Sequence, residues 1–135
     1  MRQIFVNLVV SDLQKSMAFY SALGFTNNPQ FSDDTAKCMV WSEHIYLMIM
    51  TADKFSSFTQ KPIADTKNNI AALLSLSLSS VEEIHEKMTA GLAAGGIEPS
   101  EMKDYGFMVQ RSIEDFDGHT WELFFMDVTK FPQQS

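Results

Sequence analysis

The chain has 135 residues, 45% of them hydrophobic, enough for one domain or two small fused modules around a substantial core, which excludes a disordered protein. A formal net charge of -7, with ten lysines and arginines scattered rather than gathered into a stripe, excludes a general nucleic-acid binder, because neutralising phosphates needs a basic surface. Cys38 is the only cysteine, so an internal disulfide and every cysteine-based metal spacing are excluded, and a small core residue in a reducing cytoplasm is the expectation. Met1 to Asn7 lacks the apolar core of a signal peptide, and no apolar run approaches the roughly 20 residues that cross a bilayer, so a cytoplasmic protein with no membrane partner is expected.

Ile4 to Val10 reads as a buried strand. Ser11 and Gln14 have capping-box spacing, Leu13, Met17 and Tyr20 recur at helical spacing, and Gly24 can take the left-handed conformation that ends a helix. Lys37 to Trp41 and Ile45 to Met50 read as two strands around the polar turn Ser42-Glu43-His44. Thr51 to Asn69 has no sustained periodicity and contains Pro62, so it reads as a connection, with a short helix around Lys54 to Phe58.

The pattern then restarts. Ala71 to Leu78 is a strand candidate, and Ser79 and Glu82 repeat the capping-box spacing. Val81, Ile84, Met88 and Leu92 form an apolar helical stripe that Gly95-Gly96 would stop, and Phe107 to Ile113 and His119 to Met126 give two strands around Asp115-Phe116-Asp117-Gly118. With one further short strand after each helix, the expectation is an α+β fold of two tandem βαβββ modules. Module one spans 1–51, the connector 52–70, module two 71–127 and the tail 128–135. Neither small sheet can cover both faces alone, so helices on one face and a curled eight-stranded cup on the other is the economical packing. A cup is the usual place for a small ligand.

Phe5 to Leu13, then Ser16, Phe19-Tyr20 and Leu23-Gly24-Phe25, resemble the opening of the vicinal oxygen chelate superfamily of glyoxalases, bleomycin resistance proteins and extradiol dioxygenases. Asp115 to Leu123 resembles its closing signature, an acidic Asp-Gly turn followed by a strand bearing a glutamate. The resemblance covers about residues 4 to 127 and implies the cup, a small-molecule ligand and a homodimer. In the metal-dependent members four strands supply ligands to a divalent ion, and the resemblance puts those positions at Phe5, Leu47 with Met48 as the register alternative, Leu73 and Glu122. One oxygen donor of four survives, whereas a catalytic divalent site generally needs about three. No metal is therefore expected.

The resulting expectation is a metal-independent protein that binds a small aromatic or amphipathic molecule in an apolar cup. Phe5, Asn7, Trp41, Leu47, Met48, Leu73, Phe107, Arg111 and Phe124 are the candidate contacts, with Met50 and Met126 nearby, and Tyr105-Gly106-Phe107 forms the candidate rim. Glu122 sits in an otherwise apolar strand. It is either a structural carboxylate bound by backbone or by a donor such as Arg111, or a ligand contact or base whose pKa the apolar cup raises. The alternatives are a divergent lyase, isomerase or dioxygenase using Glu122, with Zn, Ni, Mn or Fe as its divalent metal, and an interaction subunit with no small ligand. His119 and Glu122 point to opposite faces of a strand and are poor co-ligands, and His85 belongs to a solvated helix face among Glu82, Glu83 and Glu86.

Overall fold

Eight strands and three helices follow in the order β1 (Ile4–Val9), α1 (Leu13–Leu23), β2 (Thr26–Asn28), β3 (Ala36–Val40), β4 (Ile45–Met50), α2 (Ala52–Ser56), β5 (Leu73–Ser77), α3 (Val81–Ala93), β6 (Lys103–Asp104), β7 (Met108–Glu114) and β8 (Thr120–Met126). This computed structural model describes residues 1–131, so the end of the expected tail, 132–135, lies outside the described residues. Among the described residues no helix is long and apolar enough to cross a membrane.

Both major helices begin one residue later than their sequence spacing suggests. Asp12, not Ser11, caps α1, its side chain accepting from the Lys15 amide. Ser80, not Ser79, caps α3 by accepting from the Glu83 amide, while Glu83 Oε1 accepts from the Ser79 amide at 3.0 Å. The cap thus sits one residue downstream, and Glu83 rather than Glu82 reaches back, to the amide just before the cap. Gly24 does end α1, at φ 117°, with its amide bonded to the last turn.

The strands form two four-stranded sheets, ordered β1-β4-β3-β2 and β5-β8-β7-β6, and no barrel closes. β1 lies parallel to β4 and β5 parallel to β8, so β1 and β5 are equivalent edge strands of the two repeats. This is the expected α+β fold of paired modules, its cup assembled from two separate sheets. Strand alternation gives each sheet a helix side and a cup side. Val10, Met39, Leu47, Ile49, Leu76, Ile113, Trp121 and Leu123 face inward and join Phe19, Tyr20, Leu23, Ile84 and Met88 of the helices in one core shared by both modules. α1 and α3 pack on each other within it. Phe5 and Leu73, by contrast, stand on the cup side with 49% and 55% exposure.

A polar network runs through this apolar core. Tyr20 of α1 donates its hydroxyl to Asp115 Oδ2 at 2.5 Å and accepts from Trp121 Nε1 at 3.0 Å. Asp115 Oδ1 accepts from the Asp117 and His119 amides, both at 2.9 Å. Burial raises the Asp115 carboxyl above the ordinary aspartate value, against the opposing effect of the Tyr20 hydrogen bond, and burial with the neighbouring carboxylate pushes the Tyr20 phenol well up.

Tyr20→Phe would leave a buried carboxylate oxygen and the Trp121 N–H without partners, and should lower stability by about 3 kcal/mol in urea denaturation at neutral pH. Because folded Asp115 holds its proton more tightly than the unfolded chain does, its contribution grows as pH falls through the raised folded value and is complete below roughly 4. Asp115→Asn removes that titration. Wild-type stability should therefore rise relative to Asp115→Asn as pH falls from 7 towards 4, read as the difference between their thermal midpoints.

Candidate functional site

The cup side of the first sheet is aromatic. Phe5 on β1 and Tyr46 on β4 are register partners and stack with ring centroids 4.4 Å apart at 10°. Tyr46 is fixed by donating its hydroxyl to the Glu43 carbonyl at 3.1 Å and accepting from Gln3 Nε2 at 3.2 Å. Next along the same side lie Asn7 and its partner Met48, and α2 folds against β1 so that Phe55 and Phe58 border a hollow beside Asn7.

The second sheet presents Glu122 on its cup side between Ser75 of β5 and Ser112 of β7, with Phe124 next on the strand. Ser75 Oγ donates to Glu122 Oε1 at 2.8 Å, and Gln110 Nε2 donates to Oε2 at 2.6 Å. Glu122 is only half-buried, and both oxygens are held by neutral donors, which fixes the carboxylate as an oriented acceptor at the floor of the sheet.

The structure brings Phe5, Asn7 and Met48 together on the first cup face and Leu73, Glu122 and Phe124 together on the second. Leu47 lies on the opposite side of β4 from Met48, fully buried in the core. Trp41 stands on the helix side, its ring 5.0 Å from that of Phe25 and beneath Lys87 Nζ. Arg111 also points to the helix side, where Nε and Nη2 each donate to Glu98 at 2.9 Å and Nη1 contacts His85 Nδ1 at 2.9 Å. It therefore cannot partner Glu122, which alternation places on the other face of the sheet. Phe107 precedes β7 and packs edge-on against Phe131 at 5.3 Å, with Tyr105 at 6.4 Å, on the rim.

Sequence reasoning did not find Tyr46, Ser75 or Gln110 as members of this surface. The signal for Ser75 and Gln110 lies in strand parity, but choosing them requires the pairing register, which is not written in a single strand. The donor chemistry at the four positions implied by the resemblance does not fit a divalent ion. Phe5, Met48 and Leu73 offer carbon or thioether groups and Glu122 offers oxygens already engaged by two donors. Among the described residues no group of three His, Cys, Asp or Glu side chains is placed to hold a metal.

A further cavity of about 600 Å³ opens between the modules, bordered by β1, connector residues and the acidic turn and sharing Asn7 and Phe55 with the hollow beside α2. Thr66 Oγ1 donates to the Asp117 carbonyl at 2.6 Å, and a Cβ on Gly118 would lie 2.1 Å from the Thr66 carbonyl oxygen. Gly118 also has φ 86°, so only glycine lets the connector lie this close to the turn.

Residues 2–40 match the family model for the N-terminal part of bleomycin resistance protein-like proteins. No curated protein matches the chain. Among solved structures, a glyoxalase-related enzyme from Fulvimarina pelagi is similar at 19% identity with a TM-score of 0.78, over 93% of this chain and 88% of that one. A hypothetical protein from S. aureus is similar at 22% identity with a TM-score of 0.77, over 93% and 94%. The fosfomycin resistance protein FosX from Listeria monocytogenes is similar at 19% identity with a TM-score of 0.68, over 96% and 97%. The chain thus shares the glyoxalase and bleomycin-resistance fold over nearly its whole length.

Gly118→Ala combines a left-handed backbone with a direct clash against Thr66. It should lower stability by roughly 2 kcal/mol or more in thermal or urea denaturation, and hydrogen exchange should quicken first around residues 63–72.

Proposed function

We propose that this chain, which carries the glyoxalase and bleomycin-resistance fold, binds a small aromatic or amphipathic molecule against its cup face and sequesters it without a metal. The observation that carries the reading is the Phe5–Tyr46 stack, half of its Phe5 ring exposed, standing where the resemblance implies a metal ligand. A planar ring laid on this pair would extend the stack, and Met48 supplies a polarizable neighbour. Across the cup, Leu73 and Phe124 extend the apolar surface around Glu122. Glu122, fixed by Ser75 and Gln110, would take a hydrogen bond from a hydroxyl or amine on the ligand and so set its orientation.

The exposed cup-side residues Phe5, Leu73 and Met126 would be covered by a second copy of the chain, giving a homodimer in which the ligand is enclosed. A second reading, divergent lyase, isomerase or dioxygenase chemistry with Glu122 as base, is favoured by the one feature simple sequestration does not require, a carboxylate held in a defined orientation by two donors.

Phe5→Ala, which removes one ring of the stack, should lower stability by about 1 kcal/mol with the fold intact and weaken binding of 1-naphthol about threefold to tenfold in titration calorimetry, the range expected for one stacking contact. Binding should be the same after exhaustive treatment with EDTA. Unchanged affinity in Phe5→Ala would overturn the stacking platform. Glu122→Gln separates the two readings: sequestration predicts a modest loss of affinity, whereas the enzyme reading predicts loss of turnover on whichever substrate the protein converts.

A further inference from the structure

The cavity between the modules adjoins the cup, sharing Asn7 and Phe55 with it, and its walls show what it would hold. Every residue from Val6 to Ser11 borders it. Successive strand side chains point to opposite faces, so a run of consecutive lining residues means the cavity meets β1 edge-on. The amides of Ile4 and Val10 bond to the His44 and Met50 carbonyls, so the even-numbered residues of β1 face β4 and the odd-numbered ones face away. Phe5, Asn7 and Val9 therefore turn their backbone groups to the free edge. The Phe5 carbonyl is taken by Asn7 Nδ2 at 3.3 Å and the Val9 carbonyl by His119 Nε2 at 2.7 Å. The Asn7 N–H and C=O and the Val9 N–H remain as an open hydrogen-bonding edge with no protein partner among the described residues.

Phe55, Ile63, Ile70 and Leu74 with the small Ala71 and Ala72 make the apolar part of the wall, and Thr66, Asn69 and Thr120 add neutral polar groups. Behind it, Asp117 is 7% exposed, with Oδ1 accepting from the Ser11 amide at 3.1 Å and Oδ2 having no donor among the described residues. Asp65 and Lys67 border the outer side, and His119 closes one end.

We infer that this cavity is a second binding site, for a neutral, apolar, peptide-like molecule that pairs its backbone with the free edge of β1. A residue in extended conformation offers an N–H and a C=O on one side, and these match the Asn7 C=O and N–H as one rung of an antiparallel ladder. Its apolar side chain packs on Ile70 and Leu74. The buried Asp117 carboxylate selects against a ligand ending in a free acid. The volume of about 600 Å³ suits a small molecule rather than a folded partner.

The test titrates the whole ¹⁵N-labelled chain with N-acetyl-L-leucine N′-methylamide by NMR. The expected result is a progressive shift of the Asn7 and Val9 amide signals, at least tenfold weaker binding when the leucine nitrogen of the probe is methylated, and weaker binding of N-acetyl-L-leucine. Ala71→Trp, at an exposed loop position, should fill the cavity and abolish the shifts while leaving 1-naphthol binding at the cup intact. Ile70→Trp is the second blocking variant should Ala71→Trp fold poorly. Unmoved Asn7 and Val9 amides, equal affinity for the methylated probe, or binding lost in Phe5→Ala but retained in both blocking variants would each overturn the second site.

Discussion

The hydrogen bond from Tyr20 to Asp115 links the two repeats through the core on which both sheets pack. Tyr20 lies in the first helix of module one and Asp115 in the acidic turn of module two, 95 positions apart in sequence, yet both are buried. An ionised carboxylate in an apolar core is costly, and here three donors satisfy it: the Tyr20 hydroxyl and the amides of Asp117 and His119. These directional bonds tie α1 of the first repeat to the acidic turn of the second. The same turn places Asp117 against the Ser11 amide and His119 against the Val9 carbonyl, so the ends of β1 and β8 are held together at the module seam.

Strand parity then divides the candidate residues into two populations. Glu122, Gln110, Ser75 and Phe124 share one side of the second sheet, while Arg111, Ile113 and Leu123 share the other. Arg111 is one residue from Gln110 in sequence but on the opposite surface, and its charge is neutralised by Glu98 instead. Glu122 is consequently surrounded by neutral donors, an arrangement that orients a carboxylate without pairing it to a cation. On the first sheet the same parity puts Met48 beside Asn7 and sends Leu47 into the core.

The two repeats are similar in backbone and different in chemistry. Where one cup face has the stacked pair Phe5–Tyr46 the other has Leu73–Thr120, and where one has Asn7–Met48 the other has the hydrogen-bonded pair Ser75–Glu122. The repeated backbone thus presents two different chemistries, an apolar aromatic face and a face with an oriented acceptor. The connector adds a third surface. By lying against Gly118 and Asp117 it walls the open edge of β1, so a strand edge that would otherwise face solvent becomes the lining of a cavity.

Local patterning along the chain is enough for the order of elements, the internal repeat, the inward stripe of α3 and the closing of α1 at Gly24, because each depends on local periodicity or on a residue with a special backbone preference. The resemblance to the vicinal oxygen chelate superfamily pointed to Phe5, Leu73 and Glu122, and strand pairing puts all three on cup-side surfaces. Sequence reasoning left open whether Leu47 or Met48 faced the cup, and it missed that Tyr46 stacks on Phe5 and that Arg111 turns away. Those outcomes depend on register and pairing between strands distant in the chain. The Tyr20–Asp115 link, the partners of Glu122 and the cavity between the modules exist only in the assembled fold, because each is formed by groups from separate strands or separate repeats meeting in a geometry that no single segment encodes.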